Sequence, residues 1–253
     1  MAKKQSKPRL TKRDYAILKD AAQFGMVVPE ILHAQRFAGK KLAAVISTLR
    51  RLYGRPPNYL YLRPEKLDTN RVYYQLTNRG CNLIGHSRDA SRPFGRHAVA
   101  SRYATLWFIC ADQPNGRNRF DPRAFPTQFP NVRGRLPKQN FYIEQSEVSM
   151  KLGYFITDRR TDMRRLVRNS CCLMRKFIDN GWFNDYLVTH RFAFNVLTFN
   201  AAKAEEIQRK LNQEFAEQLA RPLQAIGVPD GQHAFAAQVV TVPGLDTLIP
   251  QPR

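Results

Sequence analysis

The sequence predicts an α+β protein in two parts, and three observations carry that prediction. Apolar residues recur at helical spacing three times between Thr11 and Tyr53. Two short apolar and aromatic runs, 59–62 and 72–76, follow on either side of a polar connection. Beyond residue 102, strand-like and helix-like stretches alternate, the pattern of an α/β-type domain.

The elements are justified in chain order. Thr11 is an N-cap, and Asp14 three residues on completes a capping box. Tyr15, Ile17, Leu18 and Ala22 give the first helix an apolar stripe, and Gly25 ends it. After the extended run 26–28, Pro29 opens a second short helix, where its missing N–H costs nothing. Ile31 and Leu32 form its core face, and 37–39 is a turn. A third helix spans 40–53, with Leu42, Val45, Ile46, Leu49 and Leu52 inward. Lys40, Lys41, Ala44, Ser47, Thr48 and Arg51 then face outward, with Arg55 just beyond. Such a face suits a major groove: small residues permit close approach, and hydroxyls and cations reach bases and phosphates. An ordinary solvated amphipathic helix is the other reading of this helix taken alone.

The runs 59–62 and 72–76 are strands, and the connection 63–71 between them contains Pro64, Lys66 and Asn70. Arg63, Lys66 and Arg71 are placed to hold flanking backbone or minor groove. Thr77 caps a closing helix through Leu83 and Ile84. Helix, helix, basic helix, hairpin, helix is the order of a winged helix-turn-helix.

The segments LTKRDYAIL, VPEILHAQRF, LAAVISTLRRLY and VYYQLTNRGCNLIG, with the phrase YxLTxRGxxLI from Tyr74 to Ile84, resemble the replication-relaxation family of plasmids and integrative elements. The resemblance covers about a third of the chain well and the rest loosely. It implies a role on mobile-element DNA, near a replication or transfer origin. It also implies a C-terminal half derived from a restriction-nuclease-like fold in degenerate form. The local match is YIEQSEV, with Glu144 as the surviving acid, and the expected Lys two residues on is missing. A nuclease site needs two carboxylates for Mg²⁺ and a Lys for the charge at phosphorus. The nearby acids Asp121, Glu144, Glu147, Asp158 and Asp162 are not brought together by the sequence, and helix caps and loop tips account for Asp158 and Asp162.

Charge agrees with a nucleic-acid partner. Lys and Arg number 41 against 20 Asp and Glu, a net charge of +21, which attracts polyanions. Residues 1–85 hold 17 basic and 5 acidic side chains, the denser footprint. No membrane partner is expected: no stretch approaches the ~18 apolar residues of a spanning helix. The start MAKKQSKPRLTKRDY lacks the apolar run of a secretory signal and any lipidation motif, so the expected location is the cytoplasm, at the nucleoid. Cys81, Cys110, Cys171 and Cys172 lack zinc spacing and are expected as buried free thiols. His33, His86, His97, His190 and His233 form no metal-spaced pair, and no glycine-rich phosphate loop is present. No catalytic residue, metal or cofactor is expected.

In the second half, 112–138 is expected to be irregular, with Arg117, Arg119 and Arg123 either a second nucleic-acid contact or a solvated loop. Strands are expected over 140–144, 152–156, 186–188, 192–199 and 238–242. A helix runs from a Thr161 cap to Asp179, with Met163, Leu166, Val167, Ser170, Leu173, Met174 and Phe177 inward. Another runs from an Asn200 cap to Leu219, with the stripe Ala204, Ile207, Leu211, Phe215 and Leu219 as core or as a dimer interface.

The expected organisation is therefore a basic arm (1–10), a winged helix-turn-helix (11–85), a linker (86–101), an α/β domain for dimerisation or partner binding (102–222) and a Pro-containing tail (223–253). The expected function is non-enzymatic, sequence-specific binding of double-stranded DNA on a mobile element, as a homodimer. It serves replication, transfer or assembly of a DNA-processing complex with a protein partner. A transcriptional regulator and a metal-dependent nuclease are the alternatives.

Overall fold

A computed structural model of the chain describes residues 10–55, 59–111, 116–121, 124–132, 136–145, 150–228 and 235–249. Among these residues it is mixed α+β, with nine α-helices and two sheets. The chain divides into two compact units, Met1–Ala111 with Pro250–Arg253, and Asp112–Ile249. The expected basic arm over 1–10 lies almost wholly outside the described residues.

The first unit contains α1 (Lys12–Phe24), α2 (Pro29–Arg36), α3 (Leu42–Tyr53), strands β1 (Leu62–Lys66) and β2 (Val72–Leu76), α4 (Asn78–Leu83) and α5 (Arg96–Cys110). Thr11 and Asp14 form the capping box of α1. Gly25 ends that helix in a left-handed conformation, where a Cβ would meet Arg102 and Phe94. Ile17, Leu18, Leu32, Val45, Leu49, Leu52, Leu62 and Leu76 share one core. Tyr15, expected in the inward stripe, is 40% exposed, and Ile17 takes the buried position. Strand β1 starts at Leu62 and runs through Pro64 to Lys66, later than the expected 59–62. Tyr59 makes only an isolated bridge to Gly54. The hairpin connection is thus 67–71, and Asp68 closes it by accepting from the Asn70 and Arg71 amides.

The segment expected as a linker, 86–101, belongs to this unit. A 3-10 turn, Arg88–Ser91, packs on β2 and α4, with Ala90 against the helical core. Buried Gln75 fixes it, donating to the carbonyls of Ala90 at 3.2 Å and Arg92 at 2.5 Å. Helix α5, which spans the boundary expected at residue 102, packs on α1 and α2, so the boundary falls after Ala111. The reason is that α5 carries the apolar residues Ala100, Tyr103, Ala104, Leu106, Phe108 and Ile109, all buried.

The second unit is a five-stranded sheet in the order β3 (Arg117–Arg119), β4 (Phe141–Gln145), β5 (Met150–Thr157), β6 (Phe192–Thr198), β7 (Phe235–Thr241). The first three pair antiparallel; β5, β6 and β7 pair parallel. Helix α7 (Met163–Asp179) connects β5 to β6, and α9 (Ala201–Ala225) connects β6 to β7, as parallel pairing requires. Every residue of β6 is buried, which matches its unbroken FAFNVLT run. Phe141, Tyr154, Phe177, Phe183 and Phe192 make an aromatic core with ring centroids 4.7–6.2 Å apart. Gly153 is required there, since a Cβ would lie 2.1 Å from the Tyr142 ring.

Several expectations change in this unit. Short helices α6 (Phe125–Gln128) and α8 (Asn184–Val188) replace irregular chain and the expected 186–188 strand, respectively. Asp162, not Thr161, caps α7 by accepting from the Arg165 amide. Helix α9 continues past Leu219 to Ala225, and its stripe of Ala204, Ile207, Leu211, Phe215 and Leu219 is buried against this unit's own core. The expected tail over 223–253 contributes β7 and the buried residues Val242, Leu245, Leu248 and Ile249. Cys81, Cys110 and Cys171 are buried free thiols, whereas Cys172 is exposed. No described helix is long and apolar enough to cross a membrane.

Candidate nucleic-acid interface

Between Ile31 and Pro64 the chain has no acidic residue and seven basic ones. Helix α3 lies in the middle of this stretch, and its orientation decides which cations reach solvent. Val45, Leu49 and Leu52 are fully buried. The outward line on the helix is Ala43, Ser47 and Arg50, all exposed, with Lys40 and Lys41 exposed just before it and Arg55 exposed beyond. None of these four cations forms an ion pair among the described residues. His33 holds the entry to the helix, its Nε2 2.5 Å from the Lys40 carbonyl oxygen.

This face is turned by about one position from the expected one. Ala44 and Thr48 are half-buried; Ala44 packs on the core and the Thr48 hydroxyl donates to the Ala44 carbonyl. Arg51 points back to α1, where its Nη2 donates to Asp14 Oδ1 at 2.6 Å. Burial opposes ionisation of Asp14, but the Arg51 and Thr11 hydrogen bonds outweigh it and lower its pKa. Leu42, expected inward, is 38% exposed at the first turn. Ala43 and Arg50 therefore occupy the places assigned to Ala44 and Arg51. The apolar stripe of α3 is wide, and the rotation it takes also gives Arg51 a partner 37 residues upstream in the capping box.

The hairpin offers fewer open cations than expected. Lys66 is exposed at the end of β1. Arg63 donates to Gln75 Oε1 at 2.9 Å and pairs with Glu65 at 3.0 Å. Arg71 is held by Asp68 and by the Tyr103 hydroxyl, its guanidinium over the Tyr103 ring at 5.2 Å. Burial opposes the Asp68 charge, but Arg71 and two backbone amides win and bring its pKa to about 2. Of the expected contacts, the structure thus leaves Lys40, Lys41, Ser47, Arg55 and Lys66 open, and commits Arg51, Arg63 and Arg71 to internal partners.

The phrase YxLTxRGxxLI has a mechanical content. The Thr77 hydroxyl accepts from the Gly80 amide and donates to the Leu60 carbonyl. A Cβ at Gly80 would lie 2.2 Å from the Tyr61 carbonyl oxygen, so only glycine lets α4 close against the hairpin base. Arg79 between them is exposed.

The acids of the second unit are spread among structural roles. Glu144 lies opposite Arg117 on one neighbouring strand and Lys151 on the other, and its carboxylate is 3.7 Å from Arg117 Nε. Asp158 is fully buried, 2.7 Å from Lys203 Nζ, and accepts from Thr198 and the Thr161 amide. Asp162 is the α7 cap and Asp121 is exposed; Glu147 and Arg123 lie outside the described residues. No group of three or more metal-ligating side chains occurs among the described residues. Comparison of the chain with known protein families, curated proteins and solved structures gave no match.

Proposed function

We propose that this protein binds double-stranded DNA through its first unit, which acts as a winged helix-turn-helix with α3 in the major groove and the β1–β2 hairpin as the wing. The outward face of α3 carries the reading. Two small side chains, Ala43 and Ser47, lie between the open cations Lys40 and Arg50, and no acid interrupts them. A backbone can approach that face closely while the flanking charges reach phosphates and the hydroxyl reaches a base edge. The +21 net charge supplies the long-range attraction.

The resemblance to the replication-relaxation family makes mobile-element DNA the target, with the second unit recruiting a protein partner or a second copy of the chain. Because the α9 stripe is spent internally, a homodimer uses another surface. The role is non-enzymatic. Glu144 sits between two cations on adjacent strands, an arrangement that neutralises the carboxylate instead of leaving it for a metal.

Titration of fluorescent duplexes over a salt series tests this. Affinity should fall linearly with salt on logarithmic axes, and Lys40→Gln with Arg50→Gln should flatten the slope by about two units. Absence of binding in dilute buffer defeats the proposal, as does full function after charge reversal at Lys40, Lys41 and Arg50, which would make the unit a protein adaptor. Cleavage of supercoiled plasmid with Mg²⁺, lost in Glu144→Ala, would replace it with the nuclease reading. Footprinting across a genome separates an origin protein from a transcriptional regulator by where the bound sites lie.

A further inference from the structure

The 3-10 turn that packs on the hairpin creates a surface feature distinct from α3. Between β1, α4 and the 88–93 segment runs an open groove of about 680 Å³. Four arginines from separate parts of the chain line it: Arg63 from β1, Arg79 from α4, Arg88 from the turn and Arg92 just after it. Its wall is fixed. Ser91 Oγ donates to Asn78 Oδ1 at 2.5 Å, and the Gln75 amide holds the carbonyls of Ala90 and Arg92.

The charges in the groove are only partly answered. Glu65 pairs with Arg63 at 3.0 Å, and Asp89 with Arg92 at 3.2 Å across two largely exposed side chains. Arg88 meets only the Asn82 side-chain oxygen, at 3.4 Å, and Arg79 has no partner among the described residues. Guanidiniums crowded this way repel one another, and an anion removes that cost while gaining charge-assisted hydrogen bonds. The groove is open to solvent and lined by four arginines, which suits a polyanion better than a small enclosed molecule. It also begins where α3 ends: Tyr59 lines it, and its ring meets Tyr53, the last residue of α3, edge-on at 6.4 Å.

We propose that this groove binds the phosphodiester backbone of the duplex whose major groove α3 enters, taking the strand as it leaves the helix C-terminus. The inference rests on the DNA reading and extends it: the backbone clamp is Arg79, Arg88 and Arg92 on the α4 side of the hairpin, in addition to the wing itself. Contacts of this kind position a protein without reading sequence.

The test uses the full chain and a random-sequence fluorescent duplex over a sodium chloride series. Arg79→Gln/Arg88→Gln should flatten the slope of log affinity against log salt by about two units, and weaken random and footprint-derived duplexes by the same factor. Arg92→Gln should contribute about one unit or less. All three side chains are exposed, so circular dichroism and thermal midpoints should match the parent. A control, Lys12→Gln/Lys19→Gln, removes two exposed charges from α1 and should leave the slope unchanged. Slopes unchanged in the groove variants but flattened in Lys40→Gln/Arg50→Gln overturn the groove and leave the DNA reading intact. Equal flattening in the α1 control overturns it too, because net charge alone then explains the effect. A change in sequence preference on Arg79→Gln overturns it in favour of a base contact. A parent that binds no duplex ends both.

Discussion

Helices α3 and α7 both turn cations and short side chains to solvent, and they differ in the acids that answer the cations. On α3 the exposed Ala43 and Ser47 precede Arg50, and Lys40 and Lys41 lie just before the helix. On α7 the exposed side chains include Arg164, Arg165, Arg168, Arg175 and Lys176, with Asn169 and Cys172 among them and Asp179 at the end. Part of that charge is tied down: Arg175 pairs with Asp179 at 2.7 Å, and Lys176 lies over the Trp182 ring. The count of cations favours α7, yet those of α3 and its flanks stand in a stretch without an acid, from Ile31 to Pro64. On the proposed reading, charge density alone does not mark the surface that enters a groove.

That contrast can be broken at several points. The largest effect is expected on the inner side of α7, where Phe177 is fully buried among Phe141, Tyr154, Phe183 and Phe192. Phe177→Ala should cost about 4 kcal/mol in denaturant unfolding. A small loss would mean that α7 is anchored by something other than these rings. Next comes the groove-facing test. Ser47→Glu should weaken duplex binding by about 3 kcal/mol, roughly a hundredfold, because it sets a carboxylate against the phosphates. Asn169→Glu on α7 should change it less than about threefold, and equal effects from the two would erase the distinction.

Arg51→Gln sharpens the register of α3. It should cost about 2 kcal/mol of stability, the worth of a hydrogen bond to a buried charge, while changing DNA affinity little. It should also alter the acid limb of the stability curve. Asp14 titrates lower in the folded chain than in the unfolded one, so its contribution is present above the unfolded pKa and is lost as pH falls through the folded value. The variant should lose stability less steeply below about pH 5, read from thermal midpoints over a pH series. The smallest effect is Arg175→Gln, about 0.4 kcal/mol, since both partners of that pair are about half exposed.

The parts of the fold that were legible in the sequence rest on local chemistry. The Thr11–Asp14 box, Pro29 at a helix start, the FAFNVLT strand and the Asn200 cap are each encoded within four to seven residues. What failed depended on partners far along the chain. The rotation of α3 pairs Arg51 with Asp14, and the place of 86–95 is set by Gln75 accepting and donating across the hairpin. The Tyr186-Leu187-Val188 triplet has strand-forming composition, yet it follows a turn at Gly181, and the Tyr186 and Leu187 amides bond back to the Phe183 carbonyl. The candidate site was legible as the outward basic face of the third helix and the cations of the hairpin connection. Which of its arginines stay open was not, because each closed one is answered by an acid, amide or hydroxyl that periodicity does not reveal.

Strand β7 carries a consequence for how this chain is made. Its seven residues pair in parallel with β6, and nearly forty residues separate the two strands in sequence. Until Phe235–Thr241 has left the ribosome, β6 is an edge strand that shows an uncovered row of amides and carbonyls to every neighbouring nascent chain. Shortening the protein before Phe235 makes that transient hazard permanent, so such fragments should be recovered as aggregates, and a chain ending after Ile249 should not.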